Sequence, residues 1–359
     1  MNELHPVRDK NHALYIHSLK NKENNKRYTV AKDSLRLPYT QWQPTCPLRS
    51  RRVSNEVKVI SSAKVNLFLE VIGKRPDGYH NIETIFQEID LHDEILIRKK
   101  AEQGIDIKVS PSLNITKEDN IAYKAAKLIQ QKAKKNNSGI EIFIEKRIPP
   151  GRGLGGGSSN AAAVLRGLNQ LWQLNFSLEE LADLGRQLGM DVPFFIYGGT
   201  CLGTQRGEVI TPVENFAGFR ILIIWPNFSI STADIYKNVS CCLPIGCGQA
   251  GLTKKKRSAK LLLEALKIND FEGVKKHFFN RLEDVAFKNY PLLCQFKQQI
   301  KSLYTGDNII MSGSGSAFFA ILPDEGVNEE YIKKEIIKLK GGCYIGKTLP
   351  ALLRGKPAV

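Results

Sequence analysis

The chain has 359 residues, of which 42% are hydrophobic and 25% are charged, and its formal net charge at pH 7 is +16. These proportions are typical of a globular protein with a sizeable core, and the length allows two domains. No apolar run approaches the roughly 18 residues of a membrane span, so a membrane protein is not predicted. The positive charge could serve nucleic acid, small anionic substrates or solubility alone. Because no tight basic stripe is interleaved with aromatic residues, nucleic acid is not a predicted partner.

The seven cysteines and six histidines are scattered along the chain. The cysteine count is odd and includes no C-x-x-C pair, which argues against a disulfide framework or a zinc site and indicates a reducing compartment. The histidines show no H-x-x-x-H spacing. We therefore expect a cytoplasmic protein without a dedicated metal site.

Residues 1–56 are polar and basic and show little periodicity, which predicts a largely disordered extension. If this segment is a transit peptide, the compartment would be the plastid stroma. Glu3 and Asp9 come early, however, and serine is sparse, which fits such a peptide poorly. A reading frame extended upstream of the true start is a third explanation.

Downstream of the extension, strand and helix patterns predict an α+β protein with two domains, residues 57–212 and 213–359. Strands are expected at residues 57–62, 65–72, 81–90, 94–98, 105–109, 139–145, 220–225, 317–322 and 343–347. Helices are expected at residues 119–134, 161–171, 177–189, 258–267, 271–279, 291–304 and 328–339. The helix at 177–189 begins with a serine followed three residues later by a glutamate, which is the spacing of a capping box.

The segment between strand 139–145 and helix 161–171 carries glycines at positions 151, 153, 155, 156 and 157. Glycine lets the backbone approach a ligand closely and adopt a positive φ. The helix that follows directs its free N–H groups at whatever the loop encloses. We interpret this glycine loop as a cradle for an anion, most naturally the phosphates of a nucleotide.

The glycine loop has three alternative meanings. No Gly-Lys-Ser/Thr ends the loop, so it is not a Walker loop. Gly151, Gly153 and Gly156 satisfy G-x-G-x-x-G, but a dinucleotide site needs a second strand ending in an acidic residue about 20 residues on, and none follows. A linker or a tight β–α turn is the third meaning, and a linker would not join a clear strand to a clear helix.

Lys64 and Asp191 are the candidate catalytic residues. Lys64 lies in an otherwise apolar strand, where an ammonium must find a polar partner or face a cleft, unless it protects an edge strand. Asp191 precedes the apolar run Val-Pro-Phe-Phe, where a carboxylate is unfavourable unless paired, although an ordinary helix-end residue is the alternative. At a phosphate cradle, the Asp would orient or deprotonate an attacking hydroxyl, and the Lys would neutralise charge on the transferred phosphoryl group.

Residues 73–80 (GKRPDGYH) form a predicted turn that ends on an aromatic ring and an imidazole. Tyr79 and His80 could stack on a flat heterocycle and hydrogen-bond to it. A hairpin turn with a packing tyrosine is the alternative.

Five segments resemble the GHMP small-molecule kinases, in the order of that family: residues 63–69 (AKVNLFL), 75–80 (RPDGYH), 148–162 (IPPGRGLGGGSSNAA), 191–195 (DVPFF) and 312–316 (SGSGS). The glycine segment marks the superfamily, and the first two segments resemble the members that act on a cytidyl-linked sugar alcohol. The resemblance extends from residue 57 to about residue 350. It implies the GHMP kinase fold, with a ribosomal-protein-like N-terminal domain, a ferredoxin-like C-terminal domain and the active site in the cleft between them.

The resemblance implies phosphorylation, by ATP with Mg²⁺, of the 2-hydroxyl of a cytidyl-methylerythritol substrate in the non-mevalonate isoprenoid pathway. Lys64 and Asp191 would occupy the catalytic positions, with Asp191 as the base. The implied substrate-binding residues are Asn66, Tyr79, His80 and Thr232. The implied ATP-binding residues are Asn120, Lys146, Gly151, Gly153, Leu154, Gly155, Gly156, Gly157, Ser158, Ser159 and Asn160.

Two residues depart from the family pattern. Arg152 lies inside the glycine loop, where a small residue is usual, and Met190 precedes Asp191, where Ser or Ala is common. Both bear on nucleotide affinity and rate rather than on the class of reaction.

This assignment has four alternatives. A GHMP kinase for homoserine or mevalonate does not need the cytosine-binding Tyr79 and His80, and a non-catalytic sensor of the same fold does not need both Lys64 and Asp191. A dinucleotide-dependent oxidoreductase and a basic nucleic-acid-binding protein are the alternatives from other classes. Monomer and homodimer are both open for the oligomeric state.

Overall fold

The computed structural model describes residues 55–135, 138–213, 218–239, 257–303, 309–323 and 325–350, and the backbone of residues 7–9 and 12–14. The chain divides into two compact units, Met1–Arg52 and Val53–Val359. In the first unit, strands β1 (Val7–Asp9) and β2 (His12–Leu14) pair antiparallel. The prediction made for residues 1–56 otherwise falls almost entirely outside the described residues.

The second unit contains two sheets and their covering helices. Its described strands are β3 (Glu56–Lys74), β4 (His80–Lys100), β5 (Ile105–Ser110), β6 (Gly139–Glu145), β7 (Thr200–Thr204), β8 (Val209–Val213), β9 (Arg220–Pro226), β10 (Phe279–Asn280), β11 (Ile310–Met311), β12 (Phe318–Ile321) and β13 (Gly341–Lys347). Its described helices are α1 (Ile121–Lys132), α2 (Gly156–Leu171), α3 (Leu178–Leu188), α4 (Val192–Tyr197), α5 (Thr232–Val239), α6 (Lys260–Lys267), α7 (Phe271–Lys276), α8 (Arg281–Asn289), α9 (Pro291–Leu303) and α10 (Glu329–Lys338).

The larger sheet has the strand order β10-β3-β4-β6-β5, and β7 pairs with both β4 and β8. Its centre is the antiparallel pair of β3 and β4, whose register shifts between Ser62 and Ala63 and again between Asn66 and Phe68. The prediction of separate strands at 57–62 and 65–72, and at 81–90 and 94–98, was wrong. Each pair is one long strand, because β-bulges absorb the irregular residues without ending the ladder.

Helices α1 to α4 cover one face of this sheet and bury the first hydrophobic core. Helix α2 approaches the sheet closely because its inward residues are small. A Cβ added at Gly167 would lie 2.7 Å from the Cδ1 atom of Ile97 on β4. Helix α3 begins with the predicted capping box, in which Ser177 Oγ accepts from the Glu180 N–H and the Glu180 carboxylate accepts from the Ser177 N–H.

The smaller sheet has the strand order β11-β12-β9-β13 and is antiparallel throughout. One of its faces shares a hydrophobic core with β3 and β4, in which Leu67 and Ile85 of the larger sheet join Ile221 and Phe319 of the smaller. The opposite face packs residues of α5, α8, α9 and α10 into a third core. The central core therefore holds the two sheets together.

A buried ion pair joins the start of the chain's second unit to its later helices. Glu70 on β3 accepts two hydrogen bonds of 2.7 Å from the Nε and Nη2 atoms of Arg281 at the start of α8. Beside this pair, Phe279 and Asn280 form β10, which pairs parallel with Phe68 and Leu69 of β3. Each charge satisfies the other, as burial of two ionised groups requires.

The α+β class is confirmed, since both sheets are covered by helices. The two predicted domains lie within one compact unit that contains both sheets, and the boundary at residue 212 stays a prediction. Helices α4, α5 and α8 were not predicted. In the part of the chain that the structure describes, no helix combines the length and the apolar character needed to cross a membrane.

Candidate active site

Lys64 and Asn66 project from β3 beside one another. Two residues apart on a strand, their side chains lie on the same face of the sheet. Lys64 Nζ donates to Asn66 Oδ1 at 2.6 Å, and Asn66 Nδ2 donates to Thr84 Oγ1 at 2.8 Å. Lys64 is only 4% exposed. The ammonium is therefore held in one position by a neighbour that is itself anchored.

Asp191 lies at the N-terminal end of the short helix α4, next to Lys64. Its Oδ2 atom is 3.7 Å from Lys64 Nζ, and its side chain is 35% exposed. The side chain makes no capping hydrogen bond to α4, so the carboxylate is available to a ligand. The structure thus brings together the two candidate catalytic residues, which are separated by more than a hundred positions in the sequence.

Two opposing effects act on the pKa of Lys64, and the net result is a lowered pKa. Burial lowers the pKa of the Lys64 ammonium, and the carboxylate of Asp191 acts in the opposite direction. Its Nζ atom also lies 5.5 Å from the centre of the Phe86 ring, a cation–π contact. A buried ammonium with one carboxylate partner interacts strongly with further negative charge, because little solvent screens it.

The glycine loop ends directly at the N-terminus of α2. The cap residue, Gly155, has φ of +72° and supplies no side-chain hydrogen bond to the helix. The first N–H groups of α2 therefore have no capping partner and can bind an anion. A Cβ at Gly155 would lie 2.7 Å from the Phe195 ring and 3.1 Å from Lys64 Cγ. Only glycine allows this loop to lie against the Lys64 side chain.

The second glycine loop, residues 312–316, lies against the first. Ser312 Oγ donates to the Gly153 carbonyl at 3.1 Å, and a Cβ at Gly153 would be 2.2 Å from the Ser312 carbonyl oxygen. A Cβ at Gly313 would lie 3.1 Å from both Lys64 Nζ and Asn66 Oδ1. The two glycine loops and the Lys64–Asp191 pair therefore form one site, and Gly313 is a member that the sequence analysis did not assign.

Two predicted ATP-binding residues, Lys146 and Asn160, are bonded to a carboxylate that the sequence analysis missed. Asp93 is fully buried. It accepts hydrogen bonds from Lys146 Nζ at 2.6 Å, from Asn160 Nδ2 at 2.7 Å, and from the backbone N–H groups of Arg147 and Ile148 at 2.8 and 2.9 Å. Asp93 thus fixes the chain just before the glycine loop to the first turns of α2.

The remaining ATP-binding candidates surround the same helix end. Asn120 caps α1 by accepting from the Ala122 N–H at 2.9 Å, and a Cβ at Gly157 would lie 3.5 Å from Ile121. Leu154 is buried, and its carbonyl accepts from the Lys64 N–H at 3.0 Å. The remaining members are Gly151, which is exposed, Gly156 and Ser158 on α2, and Ser159, whose hydroxyl accepts from Ser61 Oγ inside the protein. Their contacts with ATP stay predictions.

His80 presents an unsatisfied nitrogen. It is 7% exposed, and its Nε2 atom is buried without a hydrogen-bond partner. Burial lowers the pKa of the imidazole, and the nearby charge of Lys74 lowers it further. A buried polar atom without a partner is unfavourable and is usually matched by a ligand or a water molecule. His80 is therefore a candidate for binding a polar ligand in its neutral form.

Tyr236 on α5 is a site residue that the sequence analysis missed. Its ring centre is 5.8 Å from that of His80. Burial raises the pKa of its phenol, and the charge of Asp191 raises it further. Tyr236 therefore connects the His80 side of the site to the carboxylate. Tyr236 lies one helical turn after the predicted substrate residue Thr232, and residues i and i+4 share a helix face.

The last two substrate-binding candidates lie at the rim of the site. Tyr79 is 55% exposed, and the guanidinium of Arg206 lies 5.3 Å from the centre of its ring. Thr232 begins α5, and its hydroxyl is 2.7 Å from that of Ser314 in the second glycine loop. Both residues are accessible at the surface around the more buried Lys64 and His80.

The donor set fits a cation that is shared with phosphates. Among the residues that the structure describes, no group of three or more His, Cys, Asp or Glu side chains could hold a metal ion by itself. Asp191 offers one carboxylate beside the glycine loop. One protein carboxylate together with substrate phosphates and water is the usual environment of Mg²⁺ in phosphoryl transfer.

The fold and the site are those of a small-molecule phosphotransferase, and three comparisons agree. The family model "GHMP kinases N terminal domain" matches residues 120–199. The 4-diphosphocytidyl-2-C-methyl-D-erythritol kinase of Shouchella clausii is 40% identical over 294 residues, covering 78% of this chain and 94% of that protein. The kinase of the same name from Alkaliphilus metalliredigens is 39% identical over 273 residues, covering 76% and 89%.

A solved structure extends this similarity to three dimensions. The crystal structure of 4-(cytidine 5'-diphospho)-2C-methyl-D-erythritol kinase matches with a TM-score of 0.67 and 31% identity, covering 81% of this chain and 99% of that one. The chain has the GHMP kinase fold. It belongs to the 4-diphosphocytidyl-2-C-methyl-D-erythritol kinase family.

Proposed function

We propose that this chain transfers the γ-phosphoryl group of ATP to the 2-hydroxyl of 4-diphosphocytidyl-2-C-methyl-D-erythritol, a step in the non-mevalonate route to isoprenoid precursors. The observation that carries the proposal is the 3.7 Å contact between Lys64 Nζ and Asp191 Oδ2, beside a glycine loop at a helix N-terminus. Phosphoryl transfer requires mainly positioning and charge stabilisation, and this arrangement offers both.

Asp191 is proposed to accept the proton of the attacking hydroxyl. Its carboxylate makes no capping bond, so it can face a substrate hydroxyl directly, as a general base must. Lys64 pairs with the carboxylate of Asp191 at 3.7 Å and attracts the negative charge that is transferred. Asn66 holds the ammonium at 2.6 Å and so limits it to the orientation that faces the carboxylate.

The glycine loop and the start of α2 are proposed to bind the triphosphate. The backbone N–H groups there supply hydrogen bonds to phosphate oxygens without any side chain. Lys146 lies beneath them with its ammonium paired to Asp93 at 2.6 Å, and a Cβ at Gly156 would lie 3.1 Å from Lys146 Nζ. Mg²⁺, bound with ATP, would neutralise charge on the phosphates, and Asp191 is the residue here that could reach it.

His80, Tyr79 and Tyr236 are proposed to form the site for the cytosine base. The unpaired Nε2 atom of His80 can hydrogen-bond the polar edge of the base, and the two tyrosine rings offer flat surfaces for stacking. Thr232, bonded to the second glycine loop, is proposed to contact the part of the substrate nearest the reacting hydroxyl. A homoserine or mevalonate acceptor has no base for these rings to bind.

We also keep the cytoplasm as the proposed compartment, because seven cysteines without a paired spacing suit a reducing environment. Small-molecule reactants are the proposed partners.

The experiment is ADP release measured in a coupled assay with ATP, Mg²⁺ and 4-diphosphocytidyl-2-C-methyl-D-erythritol. The wild type is compared with Asp191→Asn and with the control Asp183→Asn, which removes a carboxylate that is exposed on α3. We expect turnover by the wild type and the control, and a loss of about 10²- to 10⁴-fold in Asp191→Asn. Binding without turnover by the wild type would favour the sensor, and turnover only with homoserine or mevalonate would overturn the substrate assignment.

A further inference from the structure

Arg152 is a cation in the glycine loop for which the structure shows no acidic partner among the described residues. Its Nη1 atom donates to Ser316 Oγ at 3.3 Å, which is a weak contact with a neutral hydroxyl. Its Nε atom is buried and has no hydrogen-bond partner. A guanidinium stays protonated and carries five donors, so most of its binding capacity is unused.

The position of Arg152 is fixed by the two glycine loops. Its carbonyl accepts from the Ala317 N–H at 3.1 Å. Ser316, the hydroxyl partner, in turn donates to the Phe228 carbonyl at 2.9 Å. The backbone of Arg152 is therefore fixed at the junction of the two loops, where its side chain contacts Ser316, and the second loop also contains Gly313, which borders Lys64. Arg152 belongs to the same cleft as the catalytic pair.

The nearby Arg147 has the acidic partners that Arg152 lacks within the described part of the chain. Arg147, five residues earlier, forms ion pairs with Glu94 and Glu145 at 2.8 and 3.0 Å. Burial alone lowers the pKa of Arg152, and no carboxylate acts against it. A cation that loses hydration without a counter-charge is unfavourable, and an anion bound there would supply that charge.

We propose that Arg152 binds a phosphate oxygen of a reactant and so determines nucleotide affinity in this chain. The inference rests on the proposed function, in which both reactants carry phosphates: the triphosphate of ATP and the diphosphate of the cytidyl substrate. The guanidinium fork suits phosphate oxygens in either group.

The test measures equilibrium binding by titration calorimetry for the wild type, Arg152→Ala and Arg147→Ala. The probes are a non-hydrolysable ATP analogue with Mg²⁺, CDP, and the phosphate-free controls adenosine and cytidine. We expect Arg152→Ala to weaken binding of one phosphorylated probe by about 10- to 100-fold, the range of a charge-assisted hydrogen bond. Binding of both nucleosides, and all binding by Arg147→Ala, should change less than about twofold.

The probe that loses affinity identifies which reactant supplies the phosphate. Weaker binding of the ATP analogue by Arg152→Ala assigns Arg152 to the phosphates of the donor. Weaker binding of CDP assigns it to the diphosphate of the acceptor substrate. Arg152→Lys, which keeps the charge without the fork, should recover part of the affinity. If Arg152→Ala does not fold, Arg152→Gln replaces it, because an amide can keep the bond to Ser316.

The inference is overturned if neither phosphorylated probe binds more weakly to Arg152→Ala. It is also overturned if the affinity for adenosine and cytidine falls by the same factor as the affinity for the phosphorylated probes. Steady-state assays then separate this failure from that of the proposed function. A wild type that transfers phosphate while Arg152→Ala binds normally leaves the kinase assignment intact. A wild type that binds both probes but transfers nothing overturns the kinase assignment, and the binding data still decide the role of Arg152.

Discussion

Replacing Asp93 by Asn would test whether the carboxylate organises the floor of the proposed nucleotide site. Asp93 is fully buried and accepts four hydrogen bonds, two at each oxygen. Oδ1 accepts from two backbone N–H groups, and Oδ2 accepts from Lys146 Nζ and Asn160 Nδ2. An amide has nearly the same shape, but only one of its two ends can accept. In either orientation, two donors would face an NH₂ group.

The expected loss follows from these contacts. If the amide oxygen serves the backbone groups, the buried ammonium of Lys146 loses its counter-charge. Breaking a buried ion pair in this way costs about 3–5 kcal/mol. Unpaired donors would add about 1–3 kcal/mol each if contributions were additive, but relaxation shares these losses. We therefore expect the free energy of unfolding to fall by about 3–5 kcal/mol, a large part of the roughly 5–15 kcal/mol of a typical domain.

Urea denaturation followed by circular dichroism measures this loss. Asp183→Asn on the surface of α3 is the matched control and should change the free energy of unfolding by less than about 0.5 kcal/mol. The double variant Asp93→Asn/Lys146→Met removes the uncompensated ammonium as well, so it should regain part of the lost stability. A loss below about 1 kcal/mol in Asp93→Asn, or no recovery in the double variant, would refute the reasoning.

Three further predictions concern the active site. Lys64→Met should reduce kcat by about 10²- to 10⁴-fold. Because burial lowers the pKa of Lys64, removing its charge should cause no loss of unfolding free energy in urea, and a loss of several kcal/mol would contradict this. Gly153 has φ of +76°, and a Cβ there would lie 2.2 Å from a carbonyl oxygen; Gly153→Ala should therefore lower the melting temperature, whereas Gly73→Ala, with open space around its Cβ, should not. Burial lowers the pKa of His80, so the unfolded chain takes up this proton first, and the folded state should lose stability as the pH falls below about 6.5. Over the same range the KM for the cytidyl substrate should rise in the wild type but not in His80→Gln, and a KM that stays constant down to about pH 5 would argue against a neutral imidazole in binding.

The pairing of Lys64 with Asp191 could be anticipated because each residue is chemically out of place in its own segment. A lysine in an apolar strand and a carboxylate before an apolar run both require partners. The structure supplies each with the other at 3.7 Å. The glycine loop was readable for a similar reason, since its backbone geometry is one that only glycine tolerates at Gly153 and Gly155.

Asp93 and Tyr236 could not be found in the same way. Asp93 follows a histidine within β4 and looks like one of several surface carboxylates, because its partners Lys146 and Asn160 come from elements more than fifty residues away. Tyr236 lies on α5, whose eight residues are too few for a clear helical pattern. Both residues acquire their roles through tertiary contacts that a local pattern does not contain.

The long strands were divided in the prediction for a related reason. The break between the predicted strands 57–62 and 65–72 fell on Ala63 and Lys64, directly after the polar pair Ser61 and Ser62, yet all four residues are buried. Ser61 is bonded to Ser159 and Asn160 of α2. An apparent break in the pattern was therefore a polar contact with a helix packed on the sheet, and hydrophobic periodicity alone cannot distinguish the two.

The ion pair between Glu70 and Arg281 imposes an order on biosynthesis. The two residues are 211 positions apart, which corresponds to about 10 to 40 s of translation at 5 to 20 residues per second. For most of that interval, once β4 has been completed at Lys100, the growing chain contains β3 and β4 but lacks both the guanidinium for Glu70 and the edge strand β10. An exposed strand edge invites pairing with other chains. During that interval a nascent chain of this kinase therefore needs chaperones, or the shelter of the ribosome, at the edge of β3, the strand that carries Lys64.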